Sequence, residues 1–288
     1  MLVSSALFLP AFLAKQCASE PSRRADLHFC RLFPGDDLAT SLSRHEHYLC
    51  LKLRLRPGER VLVVGCGTGD VAFELVHYAN VDVVAIDADP AKIQQATRRA
   101  QRANLAHRVQ FLTAGLDEMS TAFEPESFDC IYAIEAFRFA PTFESTYHQL
   151  RTLLKPGGRT AYTDWLFTPH LTPSPSHTLL ASTLQRTTHL APRPPSQRTA
   201  PAAIAALHAA GLVVECVEDL AGRRLRGEEG WWTPLERALG GESEGGVEAF
   251  GLEREGAIVV VEAAKRKLFT PMALFVASKP LAAKNEAQ

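Results

Sequence analysis

Gly65, Gly67 and Gly69 stand at alternate positions between two short apolar runs, and Asp87 closes the second run. Glycines at this spacing let the chain turn sharply and let a ligand lie against bare backbone. The N–H groups of such a turn face the ligand together with the helix N-terminus behind it. A carboxylate about 20 residues on then accepts hydrogen bonds from ribose hydroxyls. Gly-x-Gly-x-Gly is not the Gly-x-Gly-x-x-Gly of dinucleotide sites, and no Lys-Ser/Thr of a phosphate loop follows it. The chemistry that fits is capture of a nucleoside without a pyrophosphate. Glu135 is the second residue of interest, since a carboxylate that ends a buried run needs a partner. Asp164 and Trp165 end a later apolar run in the same way.

The elements that must position these residues are legible around them. Val61 to Val64 and Val81 to Ile86 are short, β-branched and bounded by turn signals, as strands buried on both faces are. Asp70 to Tyr78 carries apolar residues at helical spacing and joins them into a βαβ unit. Asp37 to Leu55 reads as a helix (Leu38, Leu42, His45, Leu49, Leu53) capped by Asp36 or Asp37 and ended by Pro57-Gly58. Pro90 suits the first turn of the next helix, whose Arg98, Arg99 and Arg102 read as a solvated face. Val109 to Leu112, Ser127 to Ile134 and Thr160 to Trp165 read as three further strands. A helix over Phe143 to Leu154 stops at Lys155-Pro156-Gly157-Gly158. Thr168 to Pro201 is rich in Pro, Thr and Ser and reads as a surface excursion or lid. Ala202 to Gly211 is a helix, Leu212 to Val217 a strand, Gly240 to Gly246 a loop, and Phe269 to Ala277 a closing strand. The alternation predicts an α/β fold with a doubly wound, mostly parallel sheet.

The chain of 288 residues has an ordinary globular composition, 46% hydrophobic and 22% charged. Lys and Arg number 31 against 32 Asp and Glu, which leaves no basic field for nucleic acid. The six cysteines are scattered, with no metal-ligand spacing, and read as reduced packing thiols of a cytoplasmic protein. No metal site is expected. Met1 to Ala14 is apolar but lacks a positive n-region and is interrupted by Pro10, so it reads as a segment that packs on the protein or touches a membrane surface.

From about Leu27 to Pro280 the residues resemble class I S-adenosylmethionine methyltransferases, and more narrowly the sterol 24-C-methyltransferase family. Leu27-His28-Phe29 leading to Arg44-His45-Glu46-His47-Tyr48 is similar to that family's N-terminal pattern, and Gly65-Cys66-Gly67-Thr68-Gly69 to its cofactor loop. Tyr132-Ala133-Ile134-Glu135-Ala136 with Ala140-Pro141, Trp231-Trp232, and Phe269-Thr270-Pro271-Met272 are similar to later segments. The resemblance implies S-adenosyl-L-methionine held by Gly65, Cys66, Gly67, Gly69, Asp87, Ala88, Asp117 and Glu135. It implies methylation of an alkene carbon of a sterol or isoprenoid, with Glu135, Asp164, His47 and Tyr132, beside Trp165, around the resulting cation. It divides the chain into an N-terminal segment (1–56), a cofactor core (57–167) and a substrate region (168–288). A lipid substrate, peripheral contact with endoplasmic reticulum or lipid-droplet membranes, and a homo-oligomer are the corresponding partner expectations.

The sequence departs from the family at several places. Ala18 to Ala25 holds no aromatic, Phe139 stands where the family has His, Val63 replaces an acid, and the adenine-side acid falls at Leu116 beside Asp117. Two other readings therefore stay open: a natural-product methyltransferase with another acceptor, and a catalytically silent paralogue that binds cofactor or lipid.

Overall fold

The apolar runs assemble into one seven-stranded sheet in the computed structural model, which describes residues 24, 26–222, 228–242 and 246–281. Helix α1 (Leu38–Leu53) starts at Asp37, whose carboxylate accepts from Thr40 N, and leads into β1 (Arg60–Val64). Then follow α2 (Asp70–Ala79), β2 (Asp82–Asp87), α3 (Pro90–Arg102), β3 (Val109–Thr113), α4 (Met119–Ala122) and β4 (Phe128–Ile134). After α5 (Phe143–Leu153) come β5 (Leu154–Phe167), α6 (Pro175–Thr187), α7 (Ala200–Ala209) and β6 (Val213–Asp219). The chain closes with α8 (Thr233–Leu239), α9 (Arg254–Lys265) and β7 (Phe269–Ser278). Strand order is β3-β2-β1-β4-β5-β7-β6, with only β7 antiparallel to its neighbours.

The order reverses between β1 and β4, and their carboxyl ends open the crevice where ligands of such sheets bind. Residues alternate across the sheet. Val61, Val63, Val83, Ala85 and Tyr132 pack toward α1 and α2, while Leu62, Val64, Val84, Ile131 and Ala133 pack toward α5 and α7. β5 and β7 run past the crevice, pairing Leu166 with Thr270 and Phe167 with Phe269. This extension lifts Trp165 into the region roofed by α6, α8 and α9.

Two local expectations are corrected. The helix before Lys155-Pro156-Gly157-Gly158 ends as expected, but β5 begins at Leu154 rather than Thr160 and takes in these four residues, accommodated by a register shift opposite Phe128 and Cys130. Thr168 to Pro201 is not a mere surface excursion. It contains α6, entered through Pro175 at a first-turn position, and it buries Ala181, Leu184, Leu190 and Ala191. Prolines start and punctuate these turns while the apolar residues between them reach the core. Residues 168–288 also supply β6 and β7, so the sheet is shared between the core and the substrate region. The apolar N-terminal segment lies outside the described residues.

Candidate active site

The glycine turn leaves β1 with left-handed backbone at Gly65 (φ 71°), where a Cβ would stand 2.6 Å from the Cβ of Ala136. Only glycine allows this approach. It locks the first turn of the crevice against the segment after β4. Asp87 stands at the end of β2, as its spacing predicts. Its Oδ2 accepts from Gly67 N at 2.9 Å and its Oδ1 from Asp89 N at 2.9 Å. The carboxylate is thereby fixed against the turn. Ala88 follows it, exposed, and Asp117 lies in the turn after β3, where Ala114 N bonds Asp87 O at 3.1 Å. Cys66 is buried, and burial pushes its thiol up. Gly65, Cys66, Gly67, Gly69, Asp87, Ala88 and Asp117 thus lie along the carboxyl edge of the first three strands.

An extended strap, residues 26–37, crosses this edge. Asp26 accepts from Thr68 N at 2.6 Å and pairs with Lys92 at 3.0 Å, placing its carboxylate against the glycine turn. His28 Nε2 meets Glu46 Oε1 at 3.0 Å, and Leu27 N bonds Ala249 O at 2.8 Å. Arg31 pairs with Glu228 at 2.7 Å, and Leu32 bridges Glu229. The strap therefore ties the glycine turn, α1 and the roof together. Cavities of about 570 and 840 Å³ flank it, one toward Pro234 and Arg237, the other over α1.

Beneath the strap lies Glu135, at φ 56°, a left-handed conformation unusual for a side chain of this kind. Its N–H continues the sheet to Thr163 O at 2.9 Å. Its Oε1 accepts from Phe29 N at 2.6 Å and its Oε2 from Trp165 Nε1 at 2.9 Å. Burial pushes the Glu135 carboxyl up, opposed by Arg138, His28 and these two hydrogen bonds. Aromatic rings enclose it. Phe29 lies 4.9 Å edge-on to Trp231, 5.4 Å from Phe250 and 5.8 Å from Trp165. A buried carboxylate inside an aromatic wall can stabilise a transient cation and accept a proton.

The structure does not gather every residue expected here. Asp164 alternates with Trp165 and turns toward the face carrying Tyr162, where its Oδ1 accepts from Trp165 N at 2.7 Å. Burial pushes Asp164 up to about 6, against Arg198, Arg193 and Arg138. Tyr132 is a core residue that donates to the backbone oxygen of Glu46 at 3.2 Å. His47 lies on the outer side of α1, 2.6 Å from Glu74 and stacked at 3.7 Å on Tyr78. It makes no contact with Glu135. Helical spacing brings His45 and Glu46 inward and sends His47 out. Phe139, in the position of the family's His, is 48% exposed. Sequence reading missed Asp26, Phe250 and Arg138. Asp26 lies one residue before Leu27-His28-Phe29, and Arg138 three after Glu135, so proximity to the motifs was their only signal.

Residues 55–190 match the methyltransferase domain family and residues 252–281 the sterol methyltransferase C-terminal family. The sterol 24-C-methyltransferase of Candida albicans is 30% identical over 91% of this chain and 76% of its own length. That of Saccharomyces cerevisiae is 31% identical over 92% and 76%. The chain belongs to the sterol 24-C-methyltransferase family. It is an S-adenosylmethionine-dependent methyltransferase. The fold is shared with the mycolic acid cyclopropane synthase CmaA1 (TM-score 0.72, 20% identity, 89% of this chain and 91% of that one). It is shared too with geranyl diphosphate C-methyltransferase of Streptomyces coelicolor (TM-score 0.69, 16% identity, 90% and 94%).

The residues present fit S-adenosylmethionine. Gly65 and Gly67 leave no room for a Cβ beside Ala136 and Asp26, so the turn presents its backbone, and Asp87 is pre-set by two backbone donors. Asp87 and the glycine turn would hold the nucleoside. When bound, the cofactor supplies an electrophilic methyl group on a sulfonium.

Proposed function

We propose that this enzyme methylates an alkene carbon of a sterol or related isoprenoid. The observation that carries the reading is Glu135, buried under Phe29 and Trp165 with both oxygens engaged. Adding methyl to an alkene leaves a carbocation on the acceptor. The rings of Phe29 and Trp231 attract such a charge, each by about 0.5–2 kcal/mol when water is excluded. Glu135 adds a carboxylate at the same place and, with its affinity for protons raised by burial, takes the proton that restores the double bond. The strap keeps water away and holds the partners together, which supplies much of the remaining acceleration. Asp164, Tyr132 and His47 act through packing in this reading and do not touch the acceptor.

The test is incubation of the protein with methyl-labelled S-adenosylmethionine and a lipid extract, followed by mass analysis. Label in a sterol or terpenoid is expected; label confined to a water-soluble acceptor would overturn the reading. Because the acceptor is insoluble, we place the enzyme peripherally on a membrane surface. No helix among the described residues is long and apolar enough to cross a membrane. Flotation with lipid vesicles is the expected behaviour, and protein left wholly in the dense fraction would exclude it.

A further inference from the structure

Two consecutive N–H groups of the glycine turn are both held by carboxylates of the chain itself. Gly67 N donates to Asp87 at 2.9 Å and Thr68 N to Asp26 at 2.6 Å. Asp87 ends the core strand β2 and is the group assigned to the ribose. Asp26 is the first residue of the strap, and its other oxygen takes the Lys92 ammonium at 3.0 Å. A Cβ on Gly67, at φ 53°, would stand 2.9 Å from the Asp26 Cγ. The close approach that this glycine permits is therefore used by the strap's carboxylate.

Successive backbone N–H groups in a turn form an anion-binding concavity, and an ammonium beside them adds a full charge. Thr68 N and Lys92 together make a seat for a carboxylate, one position along the turn from the ribose group. S-Adenosylmethionine carries a carboxylate of its own at its amino-acid end. Asp26 stays ionised in this seat. Burial would raise its carboxyl, but the Thr68 N–H and the Lys92 ammonium bring it below its usual range. The seat is also open to exchange. The Asp26 and Lys92 side chains are 33% and 42% exposed, and a pair that water reaches is weakly held. The rest of the strap does not depend on it: Leu27, His28, Phe29 and Arg31 are anchored on Ala249, Glu46, Glu135 and Glu228.

Resting on the glycine turn as the place of the cofactor, we propose that Asp26 is an internal competitor for it. The Asp26 carboxylate occupies the seat of the cofactor's amino-acid carboxylate. The cofactor displaces it into solvent and takes over Thr68 N and Lys92. The strap thus carries a built-in restraint: apparent affinity is reduced by the fraction of molecules in which the seat is filled from within.

The test is calorimetric titration of the full chain with S-adenosylhomocysteine and with its decarboxylated form, which keeps the ammonium and lacks only the carboxylate. Asp26→Ala should tighten S-adenosylhomocysteine about fivefold or more, while the decarboxylated form gains nothing. Adding Lys92→Met to Asp26→Ala should weaken S-adenosylhomocysteine about fivefold or more and leave the decarboxylated form no weaker. Unchanged or weaker binding of S-adenosylhomocysteine to Asp26→Ala overturns the proposal, and so does an equal gain by both ligands. If Asp26→Ala does not fold, Asp26→Asn decides by the same signs. Asp87→Ala is titrated alongside. Normal affinity there removes the placement of the cofactor on the turn, and this proposal with it; reduced affinity there with no gain in Asp26→Ala removes this proposal alone.

Discussion

The backbone N–H of Phe29 meets Glu135 Oε1 at 2.6 Å, joining residues 106 apart in the chain. This bond makes the acceptor site a composite: β4 delivers the carboxylate, and the strap covers it and supplies one of its two donors. Trp165, at the extended end of β5, supplies the other. The strap and the site therefore share one contact, the bond from Phe29 N to Glu135.

Glu135→Gln puts an amide where two donors converge. Its oxygen can answer Phe29 N or Trp165 Nε1, and its NH2 group then faces the remaining donor. One buried donor loses its acceptor, at a cost of about 1–3 kcal/mol. Turnover should fall about a hundredfold or more as the charge and the proton acceptor are lost. Urea unfolding and labelled-methyl transfer measure the two effects. Near-normal turnover in a folded Glu135→Gln would remove Glu135 from the mechanism.

Asp87→Ala removes the carboxylate assigned to the ribose and releases Gly67 N and Asp89 N. Cofactor affinity should weaken about tenfold or more, as expected when a charge-assisted hydrogen bond is lost. Calorimetric titration with S-adenosylhomocysteine reads this directly. An unchanged dissociation constant would move the ribose ligand elsewhere, with Asp117 next to be examined.

Tyr132→Phe separates a packing role from a catalytic one. The hydroxyl donates to the Glu46 carbonyl, and the ring lies in the core between β4 and α1. Losing one such bond costs about 1 kcal/mol. Turnover should stay within about threefold. A large fall in turnover without loss of stability would return Tyr132 to the site.

How far the sequence carried this picture depends on which residues fix each part locally. The βαβ unit was legible because Val61 to Val64, the glycines and Val81 to Ile86 each state their own geometry. Glu135 and Asp87 were legible because both end buried strands. His47 was misplaced because a motif names residue types without saying which side of the helix faces inward; its neighbours His45 and Glu46 are the buried ones. The strap has no periodicity of its own. Asp26, His28, Phe29 and Arg31 are held by Thr68, Glu46, Glu135 and Glu228, and such long-range pairs leave no trace in local spacing. α9 was hidden by its β-branched centre, Ile258 to Val261, which favours a strand locally and becomes helical by packing on α6 and α8.

His45 provides a pH signature of this arrangement. Its imidazole is fully enclosed beside His28, and burial, reinforced by His28 against the pull of Glu46, lowers it to about 3. The unfolded chain protonates His45 near its usual 6.5, so between pH 6.5 and 3 the unfolded state binds the extra proton. The stability tied to neutral His45 is complete above about 6.5 and is lost as the pH falls. Glu46 acts lower. Burial alone would raise it, but the hydrogen bonds from His28 and Arg24 bring it to about 2, so its contribution is lost only below its unfolded value of 4.5. Asp164 has the opposite sign. Raised to about 6, it gives stability below 3.8 that is lost as the pH rises through 6. Comparing His45→Gln with wild type cancels both background contributions. The variant should recover up to about 1.4 kcal/mol relative to wild type for each pH unit descended from 6 to 5. Urea unfolding at several pH values measures that difference, and parallel stability curves over this interval would mean that His45 is not enclosed as described.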